Sequence, residues 1–141
     1  MTVNIQFFYL EPCPALRNRN KLKAFLKTIF RQEKKGLSAL TYIFCSDKYL
    51  LQINKNYLKH NEYTDIITFD LSPNPKYTEG EIYISIERVK ENARINKVTI
   101  REELHRVIFH GALHLCGYKD KTPLKKLEMT SKEDKYLRAY F

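Results

Sequence analysis

The stretch Val107-Ile-Phe-His110-Gly-Ala-Leu-His114-Leu-Cys-Gly117-Tyr-Lys-Asp120 places two histidines four residues apart within an apolar run. On an α-helix, residues i and i+4 lie on the same face, one turn apart along the axis. Gly117 follows the run and predicts the end of that helix, because glycine readily adopts the left-handed conformation that closes helices. The chain can then fold back and bring Asp120 beside the two imidazoles.

Two imidazoles and a carboxylate are ligand types that bind zinc, and three protein ligands leave a fourth position open, as in catalytic sites. The sequence therefore predicts one Zn²⁺ per chain, held by His110, His114 and Asp120, with another divalent metal as the alternative. Cys116 is a weaker ligand candidate, because two residues beyond His114 places it on the opposite side of the helix. His105 lies about 140° around the helix from His110 and is not expected to bind the same ion.

The composition favours one globular domain that binds a polyanion. The 141 residues are typical of one domain, 1–141, and 25 basic against 16 acidic residues give a net charge of +9. A basic surface makes nucleic acid the leading partner class. Three scattered cysteines, the lack of a signal-peptide pattern and the lack of an apolar run of about 20 residues favour a cytoplasmic protein without a membrane partner.

Hydrophobic periodicity and capping signals predict nine elements in the order β-α-β-α-β-β-α-α-α. We expect an α/β (α+β) fold, in which helices are layered on a mixed four-stranded sheet and the central helix carries the histidines. Thr99 with Glu102 forms a capping box that starts this helix. The other predicted strands and helices are strands 3–10, 37–45, 64–71 and 81–86, and helices 15–33, 47–58, 87–96 and part of 123–140.

One face of the predicted helix 15–33, with the residues that follow it, is strongly basic. The sequence allows two interpretations, a solvated surface or a docking surface for an RNA backbone. The basic residues are Arg17, Arg19, Lys21, Lys23, Lys27, Arg31, Lys34 and Lys35.

The histidine stretch resembles the signature of the YbeY family of ribosomal RNA maturation endoribonucleases. That signature is His-Gly-x-Leu-His-Leu-x-Gly-Tyr, followed by an acid and a third histidine, and this chain reads His110-Gly-Ala-Leu-His114-Leu-Cys-Gly-Tyr118-Lys-Asp120. The third family ligand, usually histidine, falls on Asp120 here. The resemblance covers nearly the whole chain and implies the same layered α/β fold.

A second match lies upstream, where the family has Asn-x-x-Tyr-Arg before Thr-Asp-Val-Leu-Ser-Phe. This chain reads Asn54-Lys-Asn-Tyr-Leu58 and then Thr64-Asp65-Ile-Ile-Thr-Phe. The family arginine is replaced by Leu58, which cannot hold a phosphate.

Four residues near this match are therefore candidates for substrate binding. Lys59 and His60 stand beside Leu58 and can supply the missing polar group. Thr64 and Asp65 match the family and either bind substrate or cap the start of a strand.

A third match is Gly80-Glu81-Ile82, which resembles the Gly-Asp-Ile of the family. Glu81 is a candidate carboxylate that hydrogen-bonds a ligand imidazole from behind and orients it.

The resemblance implies a metal-dependent, single-strand endoribonuclease acting in ribosomal RNA maturation, at the 3′ end of the small-subunit rRNA, and in ribosome quality control. The implied partners are RNA and ribosomal subunits or ribosomal proteins, and DNA is not expected. Two alternatives stay open: a non-catalytic, ribosome-associated assembly factor with a structural metal, and a metallohydrolase of another substrate, such as a peptidase. Gly111 counts against a peptidase, because zinc proteases of the His-Glu-x-x-His type carry their general base there. The general base is unassigned: Asp120 off the metal, a second acid and water are all possible.

Overall fold

Four strands form one mixed sheet in the computed structural model, which describes residues 2–141. The strands are β1 (Asn4–Tyr9), β2 (Leu37–Cys45), β3 (Ile66–Asp70) and β4 (Thr78–Ser85). They are ordered β1-β2-β4-β3; β2 is parallel to β1 and to β4, and β3 is antiparallel to β4. The helices are α1 (Arg19–Gln32), α2 (Asp47–Leu58), α3 (Ile86–Asn96), α4 (Ile100–Leu115) and α5 (Pro123–Tyr140). The predicted fold class, with a mixed four-stranded sheet and layered helices, is confirmed.

Helix α4 is the centre of the main core, because it is apolar on nearly every side. The Tyr42 hydroxyl of β2 donates a hydrogen bond of 2.8 Å to the Ile108 carbonyl and fastens the helix to the sheet. Gly111 allows a close approach, since a Cβ there would lie 3.0 Å from side-chain atoms of Ile66 and Ile82. The fully buried apolar residues of the helix are Leu104, Ile108, Phe109, Ala112 and Leu113. The histidines are thus held on a rigid, centrally packed element.

The other face of the sheet carries a smaller core. Cys45, Leu50, Ile53 and Ile67 pack there between α2 and the sheet. Within residues 2–141, no helix combines the length and the apolar character needed to cross a membrane.

Three element boundaries differ from the sequence prediction by two residues or more. The first helix begins at Arg19 rather than residue 15, since Asn18 has a left-handed backbone (φ 50) and Leu16 lies in a preceding turn. Strand β4 begins at Thr78, three residues before the prediction, and β3 begins at Ile66, two residues after it.

Candidate metal centre

The turn after α4 positions the third predicted ligand. Gly117 has a φ of 105°, its N–H donates to the His114 carbonyl at 3.0 Å, and the Tyr118 N–H donates to the Leu113 carbonyl at 3.1 Å. These two bonds form the Schellman motif, which closes a helix and reverses the chain. The predicted role of Gly117 as the helix terminator is confirmed, and the reversal carries Asp120 back toward the histidines.

His110, His114 and Asp120 come together as the sequence predicts. Asp120 Oδ2 lies 3.3 Å from His110 Nε2 and 3.3 Å from His114 Nε2, and the three ligand atoms all lie within 4.8 Å of one another. Tetrahedral zinc with bonds of about 2.0–2.1 Å places neighbouring ligand atoms about 3.3–3.4 Å apart. The two nitrogen–oxygen distances match that spacing, so this group of residues fits a divalent metal.

The second nitrogen of each imidazole is also engaged. His110 Nδ1 lies 2.6 Å from Glu133 Oε2, and His114 Nδ1 lies 2.9 Å from the Tyr118 carbonyl oxygen. An acceptor at Nδ1 keeps the proton on that atom and leaves the Nε2 lone pair available for a metal. Glu133, which comes from α5 and is buried, was not among the residues predicted from the sequence.

The proposal that Glu81 orients a ligand imidazole is wrong. A Cβ at Gly80 would touch Leu115 of α4, and Ile82 packs against Gly111, so these two positions of β4 face the histidine helix. Successive side chains of a strand point to opposite faces, so Glu81 points away from the site. Its carboxylate instead accepts a hydrogen bond from the Tyr83 hydroxyl.

The two histidines differ in proton affinity because their neighbours differ. Burial lowers the pKa of His110, but the hydrogen bond and charge of Glu133, aided by Asp120 and Asp65, outweigh it, and the pKa lies above its ordinary value. Burial and the positive charge of His110 lower the pKa of His114 below its ordinary value.

The three candidate ligands open into a cleft of about 770 Å³ between α4, the end of α2 and the segment leading into β3. His60, Thr64 and Asp65 line this cleft, as does Leu58, whereas Lys59 caps α2 and is not among the lining residues. Burial raises the pKa of the Asp65 carboxyl, and the charge of His110 offsets part of that rise.

Of the basic residues that line the cleft, Arg106 is paired with carboxylates that the structure describes, whereas Lys119 and Lys121 are not. Arg106 donates to Glu133 Oε1 at 2.9 Å and to Asp134 Oδ1 at 2.6 Å. Lys119 and Lys121 flank the candidate ligand Asp120 and line the same cleft. Neither lysine forms an ion pair with a carboxylate of the described chain, so both are available to a phosphate.

The two other residues weighed as possible ligands lie in the core. Cys116 packs in the main core and does not line the cleft of the candidate ligands, and burial raises the pKa of its thiol to about 12. His105 is buried, its Nδ1 lies 2.7 Å from the Arg101 carbonyl, and its ring stacks on Tyr140.

Comparison with known proteins then decides the family. The model of the family Endoribonuclease YbeY matches residues 12–140. This chain belongs to the YbeY family. Proteins named Endoribonuclease YbeY from Cytophaga hutchinsonii and Flavobacterium psychrophilum are 52% and 46% identical to it, covering 91% and 89% of this chain and 90% and 89% of theirs. The one from Amoebophilus asiaticus is 42% identical, over 96% of this chain and 92% of its own.

A solved structure shares the fold of this chain. The solution structure of TM1509 from Thermotoga maritima matches with a TM-score of 0.61 and 27% identity, covering 96% of this chain and 88% of that one. The resemblance inferred from the histidine stretch is confirmed by the family model and by the named relatives.

Proposed function

We propose that this member of the YbeY family is a metal-dependent endoribonuclease that hydrolyses single-stranded RNA during ribosomal RNA maturation and ribosome quality control. The observation that carries the proposal is the cluster of His110, His114 and Asp120 in an open cleft, within a chain that matches endoribonucleases over residues 12–140. The relatives do not favour the two alternatives, a non-catalytic assembly factor and a peptidase-like hydrolase. We propose that residues 1–141 act as one catalytic domain.

Zinc is the metal that we propose, with one ion per chain held by His110, His114 and Asp120. The ligand types and the distance of 3.3 Å from Asp120 Oδ2 to the Nε2 atom of each histidine support it. A divalent ion held by these three residues would supply Lewis-acid chemistry, which activates water and polarises a phosphoryl oxygen.

The residues around the ligands have roles that follow from their places in the cleft. Lys119 and Lys121, which line the cleft, are proposed to bind backbone phosphates and to neutralise charge that develops during hydrolysis. His60 and Thr64 contact the RNA from the opposite wall. Asp65 can take up a proton at a higher pH than an exposed aspartate, because burial raises its pKa.

The proposed partners are RNA and ribosomal subunits or ribosomal proteins, met in the cytoplasm. The net charge of +9 supports a polyanionic partner. The second half of α1 and the residues after it offer a basic surface outside the cleft, where Lys27, Arg31, Lys34 and Lys35 are exposed. Free thiols at Cys13, Cys45 and Cys116 are consistent with a reducing compartment.

Cleavage of a labelled single-stranded RNA tests the proposal. The parent protein and His114→Ala are prepared identically, with Glu128→Gln as a surface control, and each is assayed with and without chelator. We expect the parent and the Glu128 variant to cut the RNA, and we expect cleavage to disappear on chelation and in the histidine variant. A duplex RNA and a single-stranded DNA of the same sequence should be cut more slowly.

Each other outcome counts against the proposal. Equal cleavage by His114→Ala would assign the activity to a contaminating ribonuclease. No cleavage by a metal-loaded parent protein, with or without small ribosomal subunits, would favour the non-catalytic assembly factor.

A further inference from the structure

We infer that Glu133 is a positioning residue of the metal site: it holds His110 in the tautomer and orientation that a metal requires, and Arg106 holds Glu133. The inference rests on the metal site of the proposed function. It concerns two residues outside the ligand set, which no sequence motif indicated.

The first step is the geometry at His110. The Nε2 atom faces Asp120 at 3.3 Å, and Nδ1 lies 2.6 Å from Glu133 Oε2. A neutral imidazole carries one proton, and a carboxylate at Nδ1 accepts it there. The Nε2 lone pair is then exposed toward the metal position, and the ring cannot rotate without breaking the bond to Glu133. This is the carboxylate–histidine–metal arrangement that makes an imidazole a stronger ligand.

The second step is the way in which Glu133 itself is held. Its side chain is 8% exposed, and a buried carboxylate is unfavourable unless a cation or several donors compensate it. Arg106 compensates the charge of Glu133, because its Nη1 lies 2.9 Å from Glu133 Oε1. Its Nη2 donates to Asp134 Oδ1 at 2.6 Å. Arg106 lies four residues before His110, so both side chains leave α4 on the face that meets α5. Both oxygens of Glu133 are thus used, one for each of these residues.

The third step is the contrast with His114. Its Nδ1 atom lies 2.9 Å from the main-chain carbonyl oxygen of Tyr118, and the turn at the end of α4 fixes the position of that carbonyl. Only His110 therefore depends on a side chain from another helix for its orientation. A change at Glu133 should affect one ligand and leave the other in place, so that the metal is bound weakly but not lost.

A purely structural ion pair between α4 and α5 would make a different prediction from a positioning role. Removing such a pair would lower the stability of the metal-free protein and leave its affinity for metal unchanged. A positioning role requires the affinity itself to fall. Glu128, an exposed acid on the same helix, provides the matched control.

The test measures metal binding directly, without RNA. Zinc affinity is determined by competition with a chromophoric chelator for the parent, Glu133→Gln and Glu128→Gln, and the visible absorption spectrum of each Co²⁺-loaded protein is recorded. We expect Glu133→Gln to bind zinc about 10–100-fold more weakly and to show an altered Co²⁺ spectrum. The Glu128 variant should match the parent in both, and thermal unfolding of the metal-free proteins shows how much of any change is structural.

A second variant, Arg106→Gln, keeps the hydrogen bond between Glu133 and His110 but removes the cation behind it. We expect it to weaken zinc binding in the same direction and by a smaller factor. If circular dichroism shows that Glu133→Gln is unfolded, Arg106→Gln becomes the deciding variant. Unchanged zinc affinity in Arg106→Gln would then overturn the inference.

The outcomes separate this inference from the proposed function. A folded Glu133→Gln protein that binds zinc as tightly as the parent, with the same Co²⁺ spectrum, overturns the positioning role and leaves the metal site standing. A parent protein that binds no divalent metal overturns both.

Discussion

Replacing Gly117 by alanine perturbs the turn that ends α4 and brings Asp120 to the histidines. An added Cβ at this position meets no atom within 4 Å, so no steric clash with the rest of the protein contributes. The cost is therefore local, because a φ of 105° is a conformation that alanine rarely adopts. A non-glycine residue in such a sparsely populated region costs about 1–3 kcal/mol.

A smaller opposing effect comes from the unfolded chain. Alanine restricts it more than glycine does, which stabilises the folded state by about 0.4–1 kcal/mol. We therefore expect Gly117→Ala to lower the free energy of unfolding by about 1–2 kcal/mol, measured by urea denaturation of the metal-free protein. Lys119→Ala, an exposed change in the same turn, should stay within about 0.5 kcal/mol of the parent.

The same substitution should also weaken metal binding. A relaxed backbone at residue 117 loses the bond from the Tyr118 N–H to Leu113 and moves the carbonyl that holds His114 Nδ1. Chelator competition with zinc measures this effect. A Gly117→Ala protein as stable as the parent would refute the reasoning about backbone strain, and unchanged zinc affinity would show that the turn does not position Asp120.

Three further predictions test other parts of the molecule. Burial raises the pKa of Glu33, but hydrogen bonds from two tyrosine hydroxyls and one lysine outweigh it and hold the pKa below its ordinary value of 4.5. The stability that Glu33 contributes is therefore present above pH 4.5 and is lost as the pH falls through the lowered pKa. Glu33→Gln should cost about 1.5–3 kcal/mol at neutral pH and much less in acid, and an equal loss at both in urea titrations would contradict this. Tyr42→Phe removes the bond to the Ile108 carbonyl and should lower the free energy of unfolding by about 0.5–1.5 kcal/mol, without changing RNA cleavage. Leu58→Arg adds a cation at the mouth of the cleft and should raise kcat/KM for single-stranded RNA and its dependence on salt, whereas Leu58→Gln should not.

The sequence predicted α4, its two ends and the three candidate ligands because the signals for them are local. Thr99 Oγ1 accepts from the Glu102 N–H at 3.0 Å, as the predicted capping box requires. Ser46 and Thr122 cap α2 and α5 in the same way. A cap, a helical repeat and a glycine stop all operate within a few residues, so that their outcome does not depend on the rest of the fold.

The predicted starts of α1 and β4 were wrong because one residue near each start does not fit the pattern of its element. Leu16 is buried although it lies in a turn, and so it continued the apolar repeat of α1 backwards beyond Asn18. Gly80 occupies an inward position of β4 but has no side chain, and it interrupts the alternation that would have revealed the start of the strand at Thr78. Glycine is required there because Leu115 of the histidine helix fills the space.

The carboxylate at His110 Nδ1 is Glu133 rather than the predicted Glu81, and only the fold distinguishes the two. Glu81 adjoins a family motif, but the alternation of β4 turns it to the far face of the sheet, and only the packing of α4 shows which face is which. Glu133 carried a signal of its own, since it falls between Met129 and Tyr136 on the buried stripe of a highly charged helix. An acid on such a stripe must have a partner, because burial without one is too unfavourable to persist. Its partner His110 lies 23 residues away, and the spacing that brings them together depends on the turn between α4 and α5. The pattern could therefore identify Glu133 as a buried acid with a partner, and the fold was needed to show that this partner is the candidate metal ligand His110.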